Sequence, residues 1–195
     1  RECFSVARPI LLRHGAPCVF FIITEWIGND VLFYRNKVSL CIEHVRLLNN
    51  REWTDLRPAI CRALGKEVPT REAFTATLLA LQMEDESQVN AAGRVLGIDW
   101  RTFLSEQRPY MTRDEVKQLA AEGFTIGAHG TTHRRLNRLG PDEVVREIKV
   151  SCNIIRAWTG QSWVPFSFPH ELPPDSLNLL ERVQRETGFI RGFFG

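Results

Sequence analysis

Two histidines, His129 and His133, are the residues of this chain best suited to do chemistry. They frame the sequence H-G-T-T-H. In a helical turn, residues i and i+4 project from the same side, so both ring nitrogens can converge on one metal ion. The chain holds 5 histidines, and two exposed or helix-capping side chains would satisfy this undemanding spacing as well. The spacing alone leaves both interpretations open.

The residues before His129 predict the strand that positions it. In residues 124–128, F-T-I-G-A, an apolar residue stands at every second position, which is the period of a strand with one face against a core. His129 would then lie at the carboxyl end of this strand, and His133 in the first helical turn after it. Ligands bind at this end of the strands in α/β proteins, so the position strengthens the metal interpretation.

A recurring order of helix and then strand predicts a parallel α/β sheet or barrel with right-handed crossovers. The continuous apolar run 18–23 is typical of a strand buried on both faces. A capping box opens the second helix, a proline opens the third, and a glycine ends each of them. The predicted units are 3–14 with strand 18–23, 112–123 with strand 124–128, 141–160 with strand 163–168, and 175–186 with the apolar segment 189–194.

Residues 34–108 interrupt this rhythm and predict a helical insertion within a single domain of residues 1–195. Their apolar periodicity indicates helices over 40–48, 56–64, 71–82, 87–96 and 100–106. Two roles fit such an insertion. It is either a packed shoulder of the same domain, which is the commoner case, or a lid or wall beside the strand ends.

Composition narrows the classes of partner. A net charge of +2 over 195 residues puts no strong field on the surface, so no nucleic acid or anionic membrane is required as a partner. The longest apolar run, 16–23, is too short to cross a bilayer.

The 5 cysteines are odd in number and widely spaced, with no C-x-x-C pair, which favours small buried thiols and a reducing, cytoplasmic compartment. Oligomeric state is not indicated.

Several segments occur in an order that resembles the polysaccharide deacetylases, the NodB-homology group or carbohydrate esterase family 4. The resemblance runs from Tyr110 to His170. It comprises the turn L-A-A-E-G-F (119–124), the metal motif H-G-T-T-H (129–133) and the segment F-S-F-P-H (166–170), which stands where the family has a Pro-Tyr-Gly-like segment. Residues 7–11 and 16–22 look like the helix and strand that follow the first motif of the family.

The resemblance implies a distorted (β/α) barrel of the NodB-homology type, here incomplete at both ends and carrying the helical insertion. It also implies one metal ion, usually zinc, bound by Asp-His-His, and hydrolysis of acetyl groups from a carbohydrate amide or ester. His129 and His133 match the two imidazole ligands. The backbone after Pro169, near His170, matches the group that helps to hold the developing oxyanion.

The chain also departs from the family pattern. The first motif, Thr-Phe-Asp-Asp-Gly, supplies the base aspartate and the third ligand and is expected immediately before Arg1. The late histidine motif is expected after Gly195. Neither is present, so no catalytic residue is assigned, and the chain is expected to be an inactive central fragment that binds metal weakly through two histidines. Gly130 replaces a hydroxyl residue of the metal motif.

Other interpretations remain open at this stage. Asp30 could approach the strand ends, although a turn residue in G-N-D is the simpler explanation. His170 could be a third ligand, a replacement acid, or a loop histidine packed on Pro169. The chain could also be a non-catalytic domain of the same fold that binds carbohydrate or protein, or could carry a purely structural metal on the histidine pair.

Overall fold

The computed structural model describes residues 1–171 and 176–195. Their contacts divide the chain into two compact units. The first unit comprises Arg1–Asp30 and Arg108–Gly195, and the second comprises Val31–Gln107. The first unit carries a mixed α/β fold with a parallel sheet, and the second is helical.

The helices of the described residues follow the predicted order closely. They are α1 (Arg8–His14), α2 (Tyr34–Leu47), α3 (Asn50–Leu64), α4 (Arg71–Ala80), α5 (Glu86–Val95), α6 (Trp100–Gln107), α7 (Arg113–Ala121), α8 (Pro141–Thr159) and α9 (Ser176–Thr187). The helix predicted over 3–14 is instead a π-helix, Cys3–Ala7, that leads into α1. The predicted start of the last helix, Asp175, lies outside the described residues.

The strands are β1 (Val19–Ile22), β2 (Thr125–Ala128), β3 (Val164–Ser167) and β4 (Ile190–Phe194). They form one parallel sheet in the order β1-β2-β3-β4. The apolar segment after α9 is therefore a strand paired with β3. Because all four strands run the same way, their carboxyl ends meet at one edge of the sheet, which we call the carboxyl edge.

The core of the first unit lies between the sheet and helices α7 and α8. Each of these helices turns one apolar stripe inward, as their 3.6-residue spacing predicted. The side chains with no solvent exposure in this layer include Val116, Leu119, Ile126, Ile148, Cys152, Ile155, Val164 and Phe166. Burial raises the pKa of the Cys152 thiol to about 12. Cys152 and Cys41 are buried as expected, whereas Cys3 is exposed.

On the opposite face, the sheet is curled, and aromatic rings pack closely over Gly127 of β2. A Cβ atom on Gly127 of β2 would lie 2.4 Å from a ring carbon of Phe21 and 3.1 Å from Cγ of Pro165. The ring of Phe21, on the outer strand β1, lies 5.4 Å from that of Phe194 on the other outer strand, β4. Aromatic side chains of the two outer strands therefore meet over the middle of the sheet, in space that the absent side chain of Gly127 leaves open.

Gln161 substitutes for part of the strand pairing between β2 and β3. Its Oε1 atom accepts the N–H of Ile126 at 2.8 Å, and its Nε2 atom donates to the carbonyl of the same residue at 3.0 Å. The side chain thus satisfies a backbone donor and a backbone acceptor of β2 that would otherwise need a neighbouring strand. These two hydrogen bonds supplement the pairing of β2 with β3, which is limited to Ala128 at the end of β2.

The second unit has its own core, built on α2 to α5. Phe74, Leu78 and Val89 are completely buried there. Gly93 of α5 allows the indole of Trp100 to pack directly against the helix, because a Cβ atom at this position would lie 2.1 Å from Cζ2 of Trp100. No helix in the part of the chain that the structure describes is long and apolar enough to span a bilayer.

Candidate active site

The carboxyl edge of the sheet brings His129 beside the ends of the two neighbouring strands. Its backbone N–H donates to the carbonyl of Ile22, the last residue of β1, at 2.9 Å. On the other side, its Nδ1 atom lies 2.9 Å from the carbonyl oxygen of Ser167, the last residue of β3. His129 is thus fixed from both sides, and its predicted position at the end of a strand is the one it occupies in the structure.

The contact with Ser167 determines the tautomer of His129. A carbonyl oxygen can only accept a hydrogen bond, so Nδ1 must carry the proton and Nε2 is left with its lone pair. A histidine that binds a metal through one ring nitrogen usually donates a hydrogen bond from the other nitrogen to such an acceptor. Burial lowers the pKa of His129, and the hydrogen bond to Ser167 opposes that effect. The ring is therefore neutral at neutral pH.

His133 does not occupy the predicted helical turn, and that prediction was wrong. Residues 129–135 form an irregular loop, and His133 has a φ of 64°. This left-handed backbone is uncommon for a residue with a side chain and costs on the order of 1 kcal/mol. The two histidines therefore approach each other because the loop folds back on itself, and not because of helical periodicity.

The histidine rings nevertheless lie at a distance that suits a shared metal ion. The ring centroids of His129 and His133 are 5.0 Å apart. Zinc–nitrogen bonds of about 2.0–2.1 Å at tetrahedral angles would place two bound imidazoles about 5 Å apart, centroid to centroid. Burial lowers the pKa of His133 to about 4, and repulsion from the protonated forms of His129 and His170 adds to this effect. Both rings are thus in the neutral form that binds metals.

The donor set fits a metal only in part. Among residues 1–171 and 176–195, no group of three or more His, Cys, Asp or Glu side chains is placed to hold a metal ion. A catalytic zinc site normally has three protein ligands and an open position, and the two histidines supply two of them. Asp30 is exposed in the turn that follows β1, which agrees with its interpretation as a turn residue.

Pro169 and His170, the other predicted site residues, follow β3 and lie against the same loop. Cγ of Pro169 is 3.6 Å from the position that a Cβ on Gly130 would occupy. The ring of His170 lies 4.9 Å from the ring of His133, nearly edge to face. The structure therefore brings all four predicted residues together at the carboxyl edge. Their roles remain predictions.

Two aromatic residues near the site, Trp26 and Tyr110, were not predicted from the sequence. The ring of Trp26, in a 3₁₀ turn after β1, lies 5.8 Å from that of His133, and the ring of Tyr110 lies 5.7 Å from Trp26. Trp26 could have been predicted to lie near the site, because it follows the end of the predicted buried strand 18–23. The sequence did not indicate Tyr110, because its pairing with the side chain of Asn29 spans 81 residues.

The loop between the two histidines is also held by neighbouring elements. The N–H groups of Thr24 and Glu25 donate to the carbonyls of Gly130 and Thr131, at 3.3 and 3.1 Å. Glu147 of α8 accepts hydrogen bonds from the opposite side of the loop. No sequence pattern indicated a role for Glu147, which lies on the polar side of a predicted amphipathic helix.

Comparison with known proteins identifies the family of this chain. A family model described as polysaccharide deacetylase matches residues 72–188. This range contains His129, His133, Pro169 and His170 but not the resembling segments 7–11 and 16–22. No curated protein and no solved structure gave a significant match. Members of this family are hydrolases of carbon–nitrogen bonds that act on acetylated carbohydrates, and they are generally metal-dependent. Because the match covers more than half of the chain, this protein belongs to the polysaccharide deacetylase family.

Proposed function

We propose that this protein contributes a metal-binding histidine pair to the removal of acetyl groups from a carbohydrate, with zinc as the metal. The observation that carries the proposal is the pair itself. His129 and His133 are neutral, their rings lie 5.0 Å apart, and they follow a strand end within the family match. A zinc ion bound there would polarise an acyl oxygen and lower the pKa of a bound water.

The roles of the individual side chains follow from their contacts. His129 would bind through Nε2, because Ser167 holds the proton on Nδ1. His133 would supply the second nitrogen from the folded-back loop. The backbone after Pro169, at His170, would stabilise negative charge that develops on the acyl oxygen. The ring of the same residue lies 4.9 Å from that of His133, and this proximity of the two side chains supports the proposal.

We further propose that the 195 residues bind metal without hydrolysing substrate by themselves. The sequence contains no Asp-Asp pair, and the described residues hold no three-ligand group. A metal with two protein ligands and no assigned base lacks the parts needed to activate water. The fold that we propose is an incomplete (β/α) barrel of one domain, with residues 34–108 as an insertion. The contact between Phe21 and Phe194 across the curled sheet supports this barrel.

Acetate release from N-acetylated chitooligosaccharides tests the hydrolase proposal. We expect none from the 195-residue chain with added zinc, and release by this chain would overturn the proposed inactivity. A longer natural form of the protein that carries an Asp-Asp motif ahead of Arg1 is expected to release acetate. Failure of such a form on a broad panel of acetylated saccharides would overturn the enzyme proposal. Saccharide binding without acetate release would then favour a non-catalytic binding domain.

A further inference from the structure

Glu147 joins helix α8 to the loop that carries the histidine pair. Its Oε1 atom accepts the backbone N–H of Thr131 at 2.6 Å and that of Thr132 at 3.1 Å. One carboxylate oxygen thus serves two consecutive N–H donors of a loop with no helical or strand pairing of its own. The side chain is partly buried, so water competes less for these donors than at an open surface.

The local backbone favours a negatively charged acceptor at this point. Successive N–H groups in a turn that includes left-handed residues form a concave site for anions, and Gly130 has a φ of 79°. Hydrogen bonds to a carboxylate are about twice as strong as those between neutral groups. The approach is also close, because a Cβ on Gly130 would lie 3.3 Å from Oε1 of Glu147.

Glu147 is a side chain that accepts hydrogen bonds from two backbone N–H groups of this loop. The hydroxyl groups of Thr131 and Thr132 are buried and make no hydrogen bond within the described part of the chain. The opposite side of the loop is held by hydrogen bonds from the N–H groups of Thr24 and Glu25 to the carbonyls of Gly130 and Thr131, and the ring of Trp26 lies 5.8 Å from that of His133. The loop is therefore fixed between the turn after β1 on one side and Glu147 on the other.

This arrangement explains how the loop retains its strained conformation. The left-handed backbone at His133 persists only if the surrounding contacts outweigh its cost. Without the carboxylate, two N–H donors would lose their acceptor and the loop would be free to relax. His133 would then move relative to His129, which Ile22 and Ser167 hold independently.

We propose that Glu147 is a positioning residue that sets the spacing of the two histidines and thereby the affinity of the pair for metal. The inference rests on the proposed function in assigning the metal to these histidines. Outer contacts that orient metal ligands commonly change affinity 10–100-fold when they are removed. We expect a loss of this order for Glu147→Ala, and a smaller loss for Glu147→Gln, which keeps a neutral acceptor oxygen.

Two measurements on the 195-residue chain test the inference. The first is zinc titration against a competing chelator, with Ile155→Val as control, because this buried residue of α8 lies in the core and not at the loop. The second is hydrogen exchange at the amides of residues 131–133 without metal. We expect Glu147→Ala to weaken zinc binding and speed this exchange, Glu147→Gln to fall between it and the parent chain, and Ile155→Val to change neither.

The outcomes separate this inference from the proposed function. Unchanged exchange at residues 131–133 in Glu147→Ala overturns the positioning role, whether or not zinc binds. Faster exchange together with parent-like zinc affinity overturns the link between loop geometry and metal binding. If the parent chain binds no zinc, the proposed function fails, while the exchange result still decides whether Glu147 holds the loop.

Discussion

Replacement of Gly127 by alanine tests how closely Phe21 and Pro165 pack against strand β2. The new Cβ would lie 2.4 and 2.5 Å from two ring carbons of Phe21, and 3.1 Å from Cγ of Pro165. Ordinary van der Waals contacts begin near 3.4 Å, so the ring must retreat by about 1 Å while the proline limits movement on the other side. The retreat would also disturb the contact between Phe21 and Phe194.

The expected free-energy change combines three terms. Overpacking of this kind costs about 1–3 kcal/mol, and the loss of an aromatic pair adds about 0.5–1.5 kcal/mol. The lower entropy of the unfolded chain with alanine offsets about 0.4–1 kcal/mol. We therefore expect Gly127→Ala to lower the free energy of unfolding by about 2 kcal/mol. In a chain of this size that corresponds to a fall in Tm of roughly 4–8 °C.

A double-mutant cycle separates the clash from other effects of Gly127→Ala. Urea unfolding gives the free energies of the parent chain, Gly127→Ala, Phe21→Ala and the double variant. Since Phe21→Ala removes the ring that the new Cβ would strike, Gly127→Ala should be nearly neutral in that background. The coupling energy should approach about 2 kcal/mol. An equal destabilisation by Gly127→Ala in both backgrounds would refute the proposed packing.

Three further substitutions test other parts of the fold. Gly93→Ala should destabilise the helical unit by about 1–3 kcal/mol in urea because of the clash with Trp100, whereas stabilisation by about 1 kcal/mol, as helix propensity alone predicts, would contradict that packing. Thr112→Ala removes the N-cap of α7 and should cost about 1 kcal/mol, while Thr112→Ser should cost much less. The hydrogen bonds from Arg8 hold the pKa of Glu122 at about 2, below its ordinary 4.5, so its contribution is present above pH 4.5 and is lost as the pH falls toward 2. The stability difference between the parent chain and Glu122→Gln should therefore narrow over that range, and a constant difference from pH 7 to pH 2 would show that the ion pair is not responsible.

The elements that carry the site were readable from local patterns. The alternation over 124–128 predicted β2 to within one residue, and the capping box at Thr112 is present in the structure. Pro141 and Gly160 marked the limits of α8 equally well. These signals are local because a cap, a helix stop or an alternating strand depends on neighbours within a few residues.

The conformation of the loop formed by residues 129–135 could not be predicted in the same way. The loop that leads to His133 is hydrogen-bonded to Glu147, 14 positions after that histidine, and to Thr24 and Glu25, more than 100 positions before it. An H-x-x-x-H spacing contains no information about such contacts, so a helical turn was the natural but wrong expectation. Strand β4 was also missed as a strand, since Arg191 and Gly192 interrupt its apolar pattern and only its pairing with β3 defines it.

Zinc titration of histidine variants decides whether His129 and His133 bind a metal ion together. The parent chain, His129→Ala, His133→Ala and His14→Ala should be titrated with zinc under identical conditions. His14 is exposed at the end of α1 and serves as the matched control. We expect one zinc site per chain that is lost in His129→Ala and in His133→Ala but retained in His14→Ala. Parent-like binding in either site variant would contradict the assignment of the metal to this pair.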